Sequence, residues 1–410
     1  MARVAFAWEL GGELGHAMSC ASLAIPLAMR GHRIAFIFRE LRSTRFLRDS
    51  EGFDIYQAPV LTREGRGSPI PASYPDILLG CGYSDATTLG ALVAAWRANL
   101  ERWKPDLVVE EFAPTALLAA RGLGVPCVRF GNGFAIAPKA VPIPPFRFDE
   151  PVSATRLAQA EARALASVNE VQSRSAAAPL ASLAEHFACA EEILCTFPEL
   201  DQYGNRPAAN YWGPRLQIST GARLEWPRGE GKRIIVYVKP ALAQLDALID
   251  ILAASRHRVL AFIPDLDEGR RRRLAGPGRI VSTQPIRLDA LIKDCDLLVS
   301  HGGSIAAGTL ALGVPQLVFP THYEQYLTAR RVEQLVAGGW LGRDAGPHEV
   351  RRALDQVLGE SRFLECARAF GRRYPGFSPA EQRRRMVLRV EELLAARILS
   401  RSSTPAGSER

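Results

Sequence analysis

The sequence predicts an α/β protein with two domains, each built around a mostly parallel β-sheet. The chain has 410 residues, which is more than one hydrophobic core usually supports. Short apolar runs alternate with helical stretches in both halves, the pattern of parallel strands connected by helices. A polar segment rich in Gly and Pro, residues 200–231, separates the halves. We expect a ligand cleft between the two domains, because open parallel sheets bind ligands beyond the carboxyl ends of their strands.

The first series of elements begins with a short buried strand at Val4–Trp8, which a Gly-rich turn and a helix follow. The helix is predicted from about His16 to Arg30, and Gly31 ends it. The later elements are predicted as strand 34–38, strand 105–112, helix 114–124, strand 126–131, a helical segment 153–188 and strand 191–197.

The second series repeats this alternation after the polar segment. Its predicted elements are strand 233–238, helix 241–255, strand 258–263, strand 279–283, helix 288–295, strand 297–300, a helix after residue 303 and strand 315–320. A long C-terminal helix follows, with Ser378 as N-cap, Pro379 at its first position and Glu381 in capping-box spacing. We therefore predict a first domain of residues 1–215, a second of 216–375, a helix of 376–400 packing back on the first domain, and a disordered tail of 401–410.

Composition and charge narrow the classes of ligand. The formal net charge is +8, which suits a phosphate-bearing ligand or an anionic membrane surface. An Arg-rich composition is also common in GC-rich genomes, so the charge by itself leaves both explanations open. The runs Arg270–Arg273 and Arg383–Arg385 fit solvated helix faces better than a nucleic-acid surface, and peripheral docking on a membrane stays an alternative.

The cysteines and the first residues indicate the compartment. The seven cysteines are scattered and include no CxxC pair, which favours buried thiols over disulfides or a metal site. The first residues do not resemble a signal peptide, and no apolar run reaches the roughly 18 residues of a spanning helix. We expect a cytoplasmic protein that needs neither a metal nor another cofactor.

The segment His301–Ser304 reads HGGS and directly follows a predicted strand. A helix should start there, and the N–H groups and dipole of a helix start attract anions that Gly lets approach closely. The His301 ring can donate a hydrogen bond to a phosphate oxygen. A diphosphate is therefore expected at this turn, although a Gly pair also serves as a plain strand-to-helix turn.

The surroundings of this turn carry a family resemblance. VSHGG, GVPQLVFP and EQYLTARRVEQLVAGGWL follow one another, Pro315 and Pro320 are five residues apart, and the acid–amide pair Glu324-Gln325 comes shortly afterwards. This pattern resembles the nucleotide-sugar domain of the family-one glycosyltransferases, which include the UDP-glycosyltransferases and macrolide glycosyltransferases. The resemblance extends over residues 1 to about 40, 105–130 and 190–345. It implies the GT-B fold, with two Rossmann-like domains facing each other across a cleft.

The resemblance implies roles on the donor side. The diphosphate is expected to be held by His301, Gly302, Gly303 and Ser304, and the hydroxyls of the donor sugar by Glu324 and Gln325. A carboxylate accepts hydrogen bonds from hydroxyls, and an amide both donates and accepts. Lys239, after the first strand of this domain, is a further diphosphate candidate, and Gln284 is a candidate for the base. The segment SIAAGTLAL lacks the acid that the family often places on the ribose, so no ribose ligand is assigned.

The amino-terminal segment GELGHAMSCASLAIPLAMRGH resembles the opening of the family's acceptor domain. The resemblance implies that His16 is the catalytic base that takes the proton of the acceptor hydroxyl, a task suited to imidazole. Such a base is usually oriented by an acid. Glu110 falls on the family's position for that acid, and its neighbour Glu111 is the alternative, since adjacent strand residues point to opposite faces.

These residues lead us to expect an inverting glycosyltransferase. The predicted donor is a UDP-sugar, with a dTDP-sugar as the second choice, because an acid–amide pair suits a sugar with several hydroxyls. The predicted acceptor is a small molecule or lipid, lipophilic or aromatic, of the kind modified in bacterial secondary metabolism. Two alternatives stay open: a non-catalytic protein that binds nucleotide-sugars, and a nucleotide-sugar epimerase on the same fold.

Overall fold

A computed structural model describes residues 1–12, 14–47, 52–61, 70–148, 150–175, 177–206, 208–217 and 221–402. The chain divides into two compact units. Unit 1 contains Met1–Cys195, Asn205–Trp212 and the segment that starts at Gln382, and unit 2 contains Thr196–Gly204 and Gly213–Glu381. The main boundary thus lies three residues before the predicted one at 215/216. The assignment of residues 196–204 to the first domain was wrong, because this segment packs with unit 2.

Unit 1 is built on a six-stranded parallel sheet. Its strands are β1 (Arg3–Trp8), β2 (Arg33–Phe38), β3 (Phe53–Gln57), β4 (Leu107–Glu111), β5 (Cys127–Gly131) and β6 (Glu191–Leu194). Its helices up to residue 186 are α1 (Leu14–Met29), α2 (Tyr74–Leu78), α3 (Ala86–Trp103), α4 (Pro114–Gly122), α5 (Ala154–Ser173) and α6 (Leu183–His186). The strand order is β3-β2-β1-β4-β5-β6, which is the doubly wound order whose reversal lies between the first and fourth strands.

Unit 2 repeats this topology. Its strands are β7 (Arg233–Tyr237), β8 (Arg258–Phe262), β9 (Arg279–Ser282), β10 (Leu297–Ser300), β11 (Gln316–Val318) and β12 (Gly338–Trp340). Its helices are α7 (Leu245–Ala253), α8 (Glu268–Leu274), α9 (Gly303–Leu310), α10 (Tyr323–Gln334), α11 (Pro347–Gly359) and α12 (Ser361–Arg373). The order β12-β11-β10-β7-β8-β9 places the reversal between β7 and β10.

The C-terminal helix α13 (Pro379–Ser402) completes the core of unit 1. The backbone N–H of Glu381 donates to Ser378 Oγ at 3.4 Å, so Ser378 caps the helix as the sequence indicated. Four apolar side chains of α13 are buried in the same cluster as β1 and α1: Met386, Val387, Val390 and Leu394. The helix runs two residues beyond the predicted end at residue 400, and the remainder of the predicted disordered tail, residues 403–410, lies outside the described residues.

Several predicted elements differ from the observed ones. The predicted helix 288–295 is reduced to a short 3₁₀ turn at Ile292–Asp294. The helical segment 153–188 is divided into α5 and α6. The edge strands β3 and β12 were missed, because β3 (FDIYQ) mixes polar with apolar residues and is only partly buried, and β12 (GGW) has three residues of which two are glycine. Within the described part of the chain no single helix is long and apolar enough to cross a membrane, and one bent pair, Tyr74–Tyr83 with Ala86–Trp103, passes by length and composition.

Candidate functional site

The predicted site residues lie at the carboxyl ends of the strands that flank the two order reversals. In unit 1, His16 stands in the first turn of α1 after β1, and Glu110 and Glu111 end β4. In unit 2, Lys239 follows β7 and His301 follows β10. Open parallel sheets bind ligands at these reversals, because the connections leave to opposite faces and open a crevice there.

In unit 1 the imidazole of His16 is hydrogen-bonded to a buried carboxylate. Nδ1 of His16 lies 2.6 Å from Oε2 of Glu111, whose side chain is 1% exposed, whereas that of His16 is 17% exposed. The His16 ring stacks on the Trp8 ring with centroids 5.2 Å apart, and the centroid of the Phe112 ring lies 6.3 Å from that of His16. A His that donates from Nδ1 to a carboxylate keeps the lone pair on Nε2, which is the arrangement of an oriented general base. We call Trp8, His16, Glu111 and Phe112 the base site.

The prediction that Glu110 orients His16 was wrong. The parallel register pairs Trp8 with Glu111 and Ala7 with Glu110. Because paired residues of neighbouring strands share a face, Glu111 lies beside Trp8 and His16, and Glu110 points to the opposite face. There Glu110 accepts a short hydrogen bond from the Ala113 N–H at the start of α4.

Glu110 belongs instead to a buried row of charges across the sheet. The register aligns Glu110 of β4, Arg129 of β5 and Glu192 of β6. Arg129 is 1% exposed, and its guanidinium lies 3.4 Å from Glu110 and 3.1 Å from Glu192, which also contacts Lys139 at 3.4 Å. Burial raises the pKa of Glu110, and the Arg129 charge and the Ala113 N–H oppose this rise. The row fixes the end of β4 from the face opposite the base site.

A further buried acid, Glu9, lies beside this row. Its Oε2 accepts from the Thr115 N–H at 2.9 Å, which caps the first turn of α4. Burial raises the pKa of Glu9 from 4.5 to about 7, the Thr115 hydrogen bonds lower it, and the negative charge of Glu110 raises it further. The sequence shows only an acid directly after a strand, and nothing there marks Glu9 as buried.

In unit 2 the glycine turn at residues 302 and 303 lies close to the Glu324-Gln325 pair. Gly302 has φ +97° and Gly303 has φ +67°, a backbone region that side chains rarely adopt, and α9 begins at Gly303 with Gly302 as its N-cap. A Cβ at Gly302 would lie 3.4 Å from the backbone oxygen of Gln325 and 3.2 Å from Val318. The glycine turn therefore packs closely against the start of α10, which carries Glu324 and Gln325. We call residues 301–304 together with Lys239, Glu324 and Gln325 the donor site.

His301 is held by backbone groups on both sides. Its Nδ1 lies 2.7 Å from the Phe319 carbonyl oxygen, and its Nε2 accepts from the Lys239 N–H at 2.7 Å. A neutral imidazole that donates from Nδ1 and accepts at Nε2 satisfies both contacts. This differs from the expected donation to a phosphate oxygen, because here the ring joins the ends of β7 and β11 across β10. The structure brings Lys239 to the predicted site through its backbone amide.

Gln325 has a fixed orientation. Its Oε1 accepts from both the N–H and the hydroxyl of Thr321, each at 2.9 Å, and the residue is 8% exposed. The amide oxygen is thus occupied, so the Gln325 NH₂ group is the part that can donate to a ligand. Glu324 lies in the first turn of the same helix. Thr321 was not singled out from the sequence; it stands directly before His322, the N-cap of α10, and four residues before Gln325.

The remaining predicted donor-side residue, Gln284, lies in an exposed turn after the edge strand β9. Two strands, β7 and β8, separate β9 from β10, so about 14 Å of sheet lies between this turn and His301. The contact of Gln284 with a nucleotide base stays a prediction.

Asp267, part of an acidic pair in a surface turn, caps α8 by accepting from the Arg270 N–H at 2.9 Å. Among the described residues, no group of three or more His, Cys, Asp or Glu could hold a metal ion.

Residues 246–373, from α7 through α12, match the family model described as the C-terminal domain of the erythromycin biosynthesis protein CIII-like family. This stretch of the chain is similar to the EryCIII-like C-terminal domain. This domain includes the glycine turn at residue 302 and the Glu324-Gln325 pair of the donor site. The match falls on the stretch whose motifs resemble the nucleotide-sugar domain of the family-one glycosyltransferases.

The curated relatives that match the chain are glycosyltransferases by name. A sterol 3-beta-glucosyltransferase from Leptosphaeria maculans is 35% identical over 24% of this chain and 7% of its own length. The TDP-daunosamine transferase DnrS from Streptomyces peucetius is 30% identical over 31% of this chain and 28% of its own. Zeaxanthin glucosyltransferase from Pseudescherichia vulneris is 23% identical over 84% of this chain and 88% of its own. The chain thus matches less than a third of the length of the first two.

Solved structures match the whole architecture. Glycosyltransferase VinC in complex with dTDP is 16% identical, with 96% of this chain and 100% of that chain covered at a TM-score of 0.65. The calicheamicin glycosyltransferase CalG4 is 19% identical, with 96% and 98% covered at a TM-score of 0.67. At this identity the likeness shows the fold. The fold is therefore GT-B, and the predicted fold class is confirmed.

Proposed function

We propose that the protein transfers a sugar from a nucleotide-sugar to a hydroxyl group of a small lipophilic or aromatic acceptor, with inversion at the anomeric carbon. The observation that carries this proposal is the hydrogen bond between His16 Nδ1 and Glu111 Oε2. A partly exposed imidazole held by a buried carboxylate is suited to take a proton from a weakly acidic hydroxyl, since the carboxylate stabilises the imidazolium that forms.

The proposed reaction is a single displacement. The acceptor oxygen attacks the anomeric carbon while its proton passes to Nε2 of His16, and Glu111 holds the Nδ1–H throughout. The bond from the anomeric carbon to the phosphate oxygen breaks, and the nucleoside diphosphate leaves with that electron pair. Because attack and departure occur on opposite faces, the anomeric configuration inverts.

The donor site supplies the charge stabilisation in this proposal. The first N–H groups of a helix have no partner within the helix, and in α9 they begin at Gly303, directly after the left-handed Gly302. We propose that Gly303 and Ser304 bind the diphosphate through these amides, with Lys239 adding positive charge. The role of His301 is then to hold the Lys239 amide and the Phe319 carbonyl in place. We expect this electrostatic arrangement to act without a divalent metal.

Glu324 and Gln325 are proposed to bind the sugar. With its amide oxygen occupied by Thr321, Gln325 donates to a sugar oxygen, and the Glu324 carboxylate accepts from hydroxyls. The base of the donor is proposed to be uracil or thymine. Names of similar proteins support both: the relative DnrS is a TDP-daunosamine transferase, VinC is in complex with dTDP, and the relative avaP from Aspergillus versicolor is a UDP-glucosyltransferase.

The direct test is turnover with defined donors. Purified protein is incubated with UDP-glucose, UDP-galactose or dTDP-glucose and with a panel of sterols, carotenoid alcohols and polyketide phenols, with and without EDTA. We expect release of the nucleoside diphosphate only in the presence of an acceptor, and an NMR spectrum of the product that shows the inverted anomeric configuration. A sugar returned in epimerised form, or a nucleotide-sugar that binds without release under every condition, would refute the proposal in favour of an epimerase or a binding protein.

A further inference from the structure

The turn between β1 and α1 brings a glycine against the ring of His16. Gly11 has φ +76°, in the left-handed region that favours glycine. A Cβ built on Gly11 would lie 2.6 Å from Nε2 of His16, 3.1 Å from Cε1 and 3.4 Å from Cδ2. Carbon and nitrogen atoms that are not bonded do not approach to 2.6 Å, so a side chain at residue 11 and the present position of the imidazole exclude each other.

The ring has little room to move away from such a side chain. Its Nδ1 is held at 2.6 Å by Glu111, which is 1% exposed at the end of β4. The Trp8 ring stacks on the imidazole with centroids 5.2 Å apart, and Trp8 is itself fixed by its Nε1–H, which donates to the Leu10 carbonyl at 2.6 Å. A shift or rotation of the imidazole would therefore lengthen or break the contact with Glu111.

We infer that Gly11 is a positioning residue for His16. The absence of a side chain at this position lets the imidazole lie between the turn and Trp8 with Nδ1 directed at Glu111. The geometric part of the inference concerns only the His16–Glu111 contact. Its consequence for turnover rests on the proposed function, in which that contact orients the base.

The chain offers two matched controls. Gly12 is the neighbour of Gly11 in the same turn, its φ lies outside the left-handed region, and a Cβ there would meet no atom within 4 Å. Gly31, after the other end of α1, has φ +89°, and a Cβ there would also meet no atom within 4 Å. Gly12→Ala thus controls for a change in the turn, and Gly31→Ala controls for the strain of alanine at a left-handed position.

The first readout does not depend on an acceptor. In protein labelled with ¹⁵N-histidine, the Nδ1–H of His16 should give a downfield resonance, assigned by its loss in His16→Ala. We expect this resonance in the wild type, in Gly12→Ala and in Gly31→Ala, and expect it to vanish or move upfield in Gly11→Ala. Gly11→Asn should behave like Gly11→Ala, because asparagine tolerates the left-handed backbone and still carries a Cβ. The Nδ1–H of His301 serves as the internal reference.

The second readout is a double-mutant cycle on kcat/KM. Glu111→Gln keeps a hydrogen-bond acceptor and removes its charge, and we expect a loss on the order of tenfold. Gly11→Ala should lose at least as much, with unchanged binding of UDP or dTDP. Because both changes act on the same contact, the double variant should lose clearly less than the product of the two single losses.

Two results would overturn the inference: a His16 resonance in Gly11→Ala that matches Gly31→Ala, or losses in kcat/KM that multiply in the double variant. Failure of the proposed function has a different signature. If His16→Ala transfers sugar at the wild-type rate, the base assignment fails, whereas the resonance experiment still decides whether Gly11 positions the ring.

Discussion

The two units share one topology, and each places a histidine beside its order reversal, after the first strand in unit 1 and after the fourth strand in unit 2, but they give its ring different partners. In unit 1, His16 stands beside the β1–β4 reversal and is bound to the carboxylate of Glu111. In unit 2, His301 stands beside the β7–β10 reversal and is bound to the Phe319 carbonyl and the Lys239 N–H. A carboxylate partner stabilises the charged ring, whereas a backbone donor and a backbone acceptor fit only the neutral ring.

This difference indicates that a doubly wound sheet positions residues without deciding their chemistry. The partner of each ring comes from the end of a neighbouring strand. In unit 1 the end of β4 supplies a carboxylate, whereas in unit 2 the residues after β7 and β11 supply backbone groups. We therefore propose proton transfer for His16 and a structural role in the donor site for His301. Four changes follow in order of expected effect: two remove one of these rings, and two alter the buried charges of unit 1.

Replacing the ring of His16 should have the largest effect. His16→Ala removes the proposed base, so kcat should fall by roughly 10²–10⁴-fold, the range for general base catalysis. Binding of UDP or dTDP, measured by calorimetry, should stay within about twofold, because nucleotide affinity is assigned to unit 2. His32→Ala is the matched control, since His32 contacts Glu391 at 3.3 Å and takes no part in the base site. Full activity of His16→Ala would remove the contrast between the rings.

Breaking the charge row of unit 1 should reduce stability and spare the base site. Arg129→Met leaves Glu110 buried without its cation, and breaking a buried pair in this way costs about 3–5 kcal/mol in the free energy of unfolding. The control Arg174→Met removes an exposed pair with Glu170 and should cost less than about 1 kcal/mol. Urea unfolding measures both. Equal losses of unfolding free energy in the two variants would mean that the buried row stabilises unit 1 no more than an exposed ion pair does.

Glu9 makes the stability of the protein depend on pH. In the folded state its pKa is about 7, and in the unfolded state it returns to about 4.5, so between these values the folded state holds the extra proton. Stability from this group is therefore present below pH 4.5 and is lost as the pH rises through 7. Glu9→Gln abolishes this loss. The free energy of unfolding of the variant, relative to that of the wild type, should therefore increase by on the order of 3 kcal/mol between pH 4.5 and pH 8. A constant difference across this range would contradict the prediction.

Removing the ring of His301 should weaken nucleotide binding and leave the chemical step largely intact. His301→Ala leaves the Lys239 N–H and the Phe319 carbonyl without their present partner, at about 1–3 kcal/mol for each group that stays buried and unpaired. We expect Kd for UDP or dTDP to rise roughly tenfold, which corresponds to about 1.4 kcal/mol. His348→Ala, on the exposed face of α11, is the control. A large fall in kcat with unchanged Kd would indicate that both rings transfer protons.

The sequence predicted the fold class, and it pointed to residues that the structure brings together in each unit, because the glycine turns, the paired prolines and the acid–amide pair form a pattern with fixed spacing. It could not choose between Glu110 and Glu111. Alternation along a strand shows that they face opposite sides, but the register with β1, which sets Trp8 beside Glu111, is a property of the sheet. Nothing local to residues 107–111 contains that information.

The partners of His301 were unpredictable for a related reason. The Lys239 N–H is 62 residues away in the sequence, and a backbone group has no sequence signature. Thr321 and Gly11 could have been found, since each lies within five residues of the side chain it serves. The buried charge row around Arg129 could not be predicted from the sequence. A single Arg in an apolar run does not reveal its two carboxylate partners on β4 and β6.

The burial of α13 in the core of unit 1 has a consequence for synthesis. Met386, Val387, Val390 and Leu394 pack in the same cluster as Phe6, so the sheet translated first lacks part of its cover until the last helix leaves the ribosome. At ~5–20 residues per second, the roughly 380 intervening residues take on the order of 20–80 s. During that interval unit 2 is translated up to Glu381, while the amino-terminal sheet still lacks the four apolar side chains that cover part of its core.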